Sequence, residues 1–177
     1  LHAAKAYVEI IIDELERDPL DPNLWEAKGL LGRIFKQMFV NVFNSEGVNA
    51  GYYLENAITH YLICYKADPD RHFWQGINAS ALLLRSSFDN IQLSEFPNPG
   101  EQGRRIASEI LTLLTANWDK NDSDIWQMAT AMEACIALER LNVAMVWMSR
   151  YTRDPGTDAF EINSTLRQLR EIWRLDI

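Results

Sequence analysis

Residues 32–39 read G-R-I-F-K-Q-M-F, residues 57–69 read A-I-T-H-Y-L-I-C-Y-K-A-D-P, and residues 75–84 read Q-G-I-N-A-S-A-L-L-L. In each piece apolar side chains recur three and four positions apart, which places them on one face of an α-helix. Small residues stand where two such helices would have to touch. The stretch from Gly32 to Leu84 therefore predicts stacked helix pairs, and it sets the reading of the rest of the chain.

Outward from it, the same periodicity predicts eight helices. The first covers residues 2–17 with Ala4, Tyr7, Val8, Ile11, Ile12 and Leu15 as its buried stripe, and Asp18-Pro19 ends it. The second begins behind Asn23 as N-cap and stops at Asn44-Ser45-Glu46-Gly47. The third, from about Ala50 to Ala67, is apolar on nearly every side, so neighbours must cover it twice over. The fourth spans about 72–88 with Phe73, Ile77, Ala81, Leu84 and Phe88 in register. After the Pro- and Gly-rich loop 89–100 come helices over about 101–117, from Ile125 behind a cap at Asp122 to Asp124, over 141–153 and over 158–175. No segment alternates with period two, so the chain is expected to be all-α.

The helix ends carry a rhythm. Helices one, three and seven close with Asp-Pro at 18–19, 68–69 and 154–155, and helix five closes at Trp118-Asp119-Lys120-Asn121 in the equivalent place. A two-helix period predicts a right-handed solenoid in which odd helices form the outer layer and even helices line the inner surface. Leu31-Gly32 with Phe35, then Ala57, Tyr61 and Pro69, fit the tetratricopeptide pattern, in which Gly and Ala let two helices approach and the aromatic rings fill the gap beside them. The spacing from Phe35 to Ala57 is about 13 residues longer than in a standard repeat, so the first helix or its turn must be extended.

G-R-I-F-K-Q-M-F, the A-D-P ending at 67–69 and Q-G-I-N-A-S-A-L-L-L, in this order, resemble the central regulatory region of the apoptosis signal-regulating kinases. They are also similar to the tetratricopeptide-like domain of bacterial signalling and conflict proteins. The resemblance is densest over residues 29–86. It implies a non-enzymatic regulatory domain fused in the full protein to an effector; separately, the length predicts a single domain over residues 1–177, the two core cysteines predict a cytoplasmic setting, and the start at Leu1 predicts a piece of a longer multidomain protein. The implied role is scaffolding, or alternatively sensing of a small nucleotide-derived ligand.

Composition agrees with a soluble globular chain: 177 residues, 47% hydrophobic and 24% charged, with a formal charge of −8. That charge argues against nucleic acid or an anionic membrane as the main partner, since both need a positive field. Cys64 and Cys135 fall inside apolar helical runs and read as reduced core residues. The common phosphate-loop, nucleophile and zinc motifs are absent, and no cofactor is called for. His60 and Cys64 stand four apart and could share a metal, but they lack enough companion ligands. Trp25, Trp126, Trp147 and Trp173 read as core.

The candidate site residues are polar side chains on even helices: Arg33, Lys36 and Gln37 on the second, Asn78 and Arg85 on the fourth, Gln127 and Glu133 on the sixth. In an open groove they would grip a peptide's backbone or carboxylates, with self-association as a further possibility. Arg33, Lys36 and Arg85 would serve the nucleotide-like ligand of the alternative. Equally, Arg33 and Lys36 could pair with acids of a neighbouring helix, and Asn78 could satisfy a helix terminus between repeats. The groove reading predicts that charge reversal at Arg33 or Arg85 weakens partner binding without lowering the melting temperature.

Overall fold

A computed structural model describes residues 1–18, 21–43, 45, 49–116, 118 and 124–175. The stops read at Pro19, Asn44, Glu46 and Gly47, the Asp119-Lys120-Asn121 ending and the cap residues Asp122 and Ser123 lie outside them. The described residues form eight helices and no strand: α1 (His2–Leu15), α2 (Asn23–Val42), α3 (Ala50–Ala67), α4 (Phe73–Phe88), α5 (Pro99–Ala116), α6 (Ile125–Ala137), α7 (Leu141–Arg153) and α8 (Ala159–Glu171).

Consecutive helices pack as neighbours from α1 to α7, and α4 also touches α6. Of the even helices α4 and α6 thus share an inner layer, in keeping with the sequence rhythm, and Lys36 of α2 reaches it at Asn78. One apolar core runs the length of the stack, from Val8 and Ile12 through Phe39, Ile58 and Leu82 to Met132, Leu169 and Ile172. Glycine sets the closest approaches. A Cβ on Gly32 would stand 3.1 Å from the Tyr61 ring, and one on Gly76 would stand 2.5 Å from the Tyr65 ring and 2.9 Å from Ile110 Cδ1. Where α4 meets α5, Ser80 Oγ donates to the Gly103 carbonyl at 2.8 Å. The extra length between Phe35 and Ala57 goes partly into α2, which continues to Val42.

Pro69 and Pro155 act as the sequence implies. The residues before them, Asp68 and Asp154, are extended, because a following proline disfavours the helical conformation. After α4 and α6 the chain turns instead through left-handed residues, Asn90 and Glu139. Ile91 N–H then donates to the Ser86 carbonyl and Arg140 N–H to that of Cys135, which closes each helix without glycine.

Several local expectations are corrected. Tyr7 is 73% exposed, Ile11 and Phe88 also face solvent, and α1 buries only Val8 and Ile12 fully. Asn23 is the first helical residue rather than the cap, and Asp21 Oδ1 accepts its backbone N–H at 2.8 Å. Pro99 and Gly100 belong to α5, because proline at a first helical position loses only an N–H that has no partner anyway. The loop before them is pinned rather than idle: Leu93 and Phe96 are buried, and Glu55 accepts from Ser94 Oγ and Glu95 N–H.

Candidate functional site

The helix that decides the site is α8. Asp158 and Glu161 start it with a capping box. It does not extend the stack; it lies against the inner layer and is tied there by side chains from three even helices. Lys36 Nζ on α2 donates to Asn78 Oδ1 on α4 at 2.7 Å and to Gln168 Oε1 on α8 at 2.9 Å. Gln168 Nε2 donates in turn to Glu133 Oε2 on α6 at 3.1 Å, which also accepts from Trp173 Nε1 at 2.8 Å. Asn78 Nδ2 donates to the Trp74 carbonyl at 2.9 Å. Asn78 is therefore a junction between three helices and not a helix-terminus cap.

Beside this network lies a cavity of about 470 Å³. From α2 come Arg33 and Lys36, and from α4 and the turn before it Arg71, Phe73, Trp74, Gln75 and Asn78. The α6 wall is Asp124, Trp126, Ala129, Thr130 and Glu133, and the α8 wall is Phe160, Ser164, Thr165 and Gln168. Aromatic surfaces and polar groups thus converge on a space of small-molecule size. Burial, the largest influence, lowers the Lys36 ammonium to about 8, opposed by the Glu133 charge and assisted by that of Arg33. Burial likewise raises the Glu133 carboxyl, while the bonds from Trp173 and Gln168 and the charge of Lys36 pull it back. The partners at hydrogen-bond distance from Lys36 are neutral amide oxygens, so its charge is solvated but not cancelled at contact distance.

Residues 3–84 match the family model TPR-S, Tetratricopeptide Repeats-Sensor. No curated protein and no solved structure matches the chain. With the paired-helix stack, the match makes this a tetratricopeptide-like helical repeat. The matched part holds Arg33, Lys36 and Asn78; Glu133 and Gln168 lie beyond it.

The tetratricopeptide-like inner layer brings together only some of the residues expected there. Arg33, Lys36, Asn78 and Glu133 meet at the cavity. Arg85 does not join them. It lies in a second depression of about 260 Å³ with Arg104, Trp173 and Arg174, is 6% exposed, and forms a buried ion pair with Asp89. Its Nη1 donates to the Glu171 carbonyl at 2.6 Å and to that of Ile172 at 3.2 Å, and its guanidinium stands 4.6 Å from the Phe43 ring centroid. Arg85 thus satisfies the carbonyl end of α8 and is a structural clasp. Gln37 is taken by Asn41 and Arg167 outside the cavity, and Gln127 is not part of its wall, since Trp126 and Thr130 occupy that face of α6. The pairing of Arg33 and Lys36 with neighbouring acids is not what holds them: Lys36 bonds two amides, and Arg33 is exposed at the cavity.

Sequence reasoning missed Gln168, Thr165, Ser164 and Phe160, although α8 is an even helix and the two-helix rhythm placed even helices inside. It also read Trp126 as core; with Trp74 it is half-buried at the cavity wall. His60 stacks on Phe35 at 5.6 Å between ring centroids, and Cys64 Sγ donates to the Trp25 carbonyl at 3.4 Å. Both serve packing. No helix among the described residues is long and apolar enough to cross a membrane.

Proposed function

We propose that this chain is a non-catalytic sensor module in which the inner-layer cavity takes a small anionic ligand and α8 reports its occupancy to a fused or associated effector. The observation that carries the reading is Lys36. A partly buried ammonium beside an open space, held by amide oxygens, with Arg33 and Arg71 lining the same cavity, favours an anion that can supply the counter-charge Lys36 lacks at contact distance. Trp74, Trp126, Phe73 and Phe160 offer ring surfaces for a planar group on the same ligand, and a nucleotide-like molecule combines the two. The match to a family described as a sensor of tetratricopeptide type supports the same reading.

Coupling to α8 follows from shared groups. An anion that draws Lys36 away from Gln168 also loosens Gln168 from Glu133, and the α8 side of the network must rearrange. A peptide in an open groove is less well served, because α8 lies where it would bind; protein contacts then fall to the outer faces.

Thermal shift against nucleotides, cyclic oligonucleotides and inorganic phosphate tests the reading. A ligand at 100 times its Kd adds about 2.7 kcal/mol, or roughly 5–11 °C for a chain of this size. The shift should vanish in Lys36→Met and in Arg33→Glu, and amide exchange in α8 should change with ligand. Ligands that stabilise the wild type and Lys36→Met equally would overturn the assignment.

A further inference from the structure

Two buried side chains on the cavity wall hold polar atoms that the fold itself leaves without partners. Gln75, in the first turn of α4, is 8% exposed, and its carboxamide makes no hydrogen bond to any described residue. Among the described residues only His60 Nδ1 and Tyr61 Oη are sealed from solvent without a partner, so the Gln75 carboxamide opens on the cavity that it lines. Packing against α2 fixes it there: a Cβ on Gly29 would stand 3.2 Å from Gln75 Nε2 and 3.6 Å from its Cγ. Asn78 and Gln168 are the contrast, since their amides are already engaged with Lys36, Glu133 and the Trp74 carbonyl. Glu133, across the cavity on α6, is also 8% exposed; Trp173 and Gln168 both donate to its Oε2, and no described residue donates to Oε1. Those two bonds favour the ionised carboxylate and leave Oε1 an acceptor only. Folded proteins rarely bury polar atoms unpaired, and a ligand that pairs them recovers what their burial costs.

Resting on the anionic-ligand reading of this cavity, we infer that Gln75 and Glu133 select a planar base that carries an amino group beside a ring-nitrogen acceptor, as adenine does. A carboxamide presents Oε1 and Nε2 side by side. It meets a base edge of the reverse order, where the amino N–H donates to Oε1 and the ring nitrogen accepts from Nε2. The second amino N–H is left for Glu133 Oε1. A base with an oxo group in that place offers an acceptor instead. Gln75 can turn its amide over to meet it, but Glu133 cannot, and two acceptors then face each other. Gln75 thus supplies affinity for the base edge, and Glu133 supplies the discrimination.

Isothermal titration of the 177-residue chain with adenosine and inosine 5′-monophosphates tests this, because the two share sugar and phosphate and differ at that edge. The wild type should bind the adenosine nucleotide about 10-fold or more tightly than the inosine one. Glu133→Gln keeps an oxygen for Trp173 and turns a donor into the cavity, so the preference should vanish or reverse. Gln75→Met should weaken adenosine nucleotide binding by about 10-fold or more, and Lys36→Met should remove binding of both. Equal wild-type affinities, a preference that survives Glu133→Gln, or an affinity unchanged in Gln75→Met would each overturn the base assignment, while loss of binding in Lys36→Met leaves the anion site standing. A wild type that binds neither nucleotide up to about 10 mM, or binding that Lys36→Met retains, overturns both. The wild-type ratio involves no substitution, and it decides even where a variant melts early.

Discussion

Replacing Arg85 with alanine tests what holds α8 on the inner layer. The side chain is 6% exposed and its partner Asp89 is 7% exposed, so the substitution strands a carboxylate in a setting that water barely reaches. It also frees the Glu171 and Ile172 carbonyls and removes the guanidinium from the Phe43 ring. Breaking a buried pair from one side costs about 3–5 kcal/mol. Arg174, which donates to Asp89 Oδ1 at 3.1 Å from a half-exposed position, relieves part of this, so the expected loss is about 3 kcal/mol. For a chain of this length that lowers the melting temperature by roughly 6–12 °C. Urea unfolding at pH 7 measures the loss, and hydrogen exchange should show residues 159–171 opening before α3 and α4. Arg33→Ala is the control: the residue is exposed, and its cost should stay within about 0.5 kcal/mol. Replacing Arg85 and Asp89 together with apolar residues should recover much of the loss, since no buried charge is then left alone. A fall below about 2 °C for Arg85→Ala, with α8 exchange unchanged, would refute the clasp. Because Arg85 is held by Asp89 and by the carbonyl end of α8, charge reversal there should lower stability first, unlike the outcome expected from the groove reading.

Three further outcomes are expected. Lys36 has a folded pKa of about 8, below its unfolded value, so the native state binds its proton less well. That penalty is complete below pH 8 and is relieved as pH rises towards 10.5; relative to Lys36→Met, the wild type should therefore gain about 2 kcal/mol across this window in paired urea titrations, after allowance for partial exposure. Trp173→Phe removes a donor to the Glu133 carboxylate and should cost about 1.5 kcal/mol at pH 7. Because the raised Glu133 pKa disfavours its ionised form in the native state, that cost should shrink as pH falls and the carboxyl becomes neutral; a pH-independent cost would mean that packing alone is lost. Gly76→Ala should destabilise by about 2–3 kcal/mol in thermal melts despite alanine's better helix propensity, since its Cβ meets ring and methyl carbons inside contact distance, and Gly32→Ala should cost less because its nearest contact is 3.1 Å.

The sequence by itself determined the helices, their order and the two-layer rhythm. Periodicity acts locally, proline forces the residue before it out of the helix at Asp68 and Asp154, and Gly32 and Ala57 mark an approach that bulkier residues would block. Tertiary structure alone decided which polar residues meet. Arg33 and Arg85 look alike in the chain, each an arginine amid apolar residues on an even helix; one is exposed at the cavity, and the other is buried against the end of α8. The difference comes from a helix more than 80 residues away that folds back over the inner layer, where Arg85 reaches the Glu171 carbonyl across 86 positions and Lys36 reaches Gln168 across 132. Local pattern carries no term for such a contact, because it depends on where the last helix comes to rest once the stack beneath it has formed.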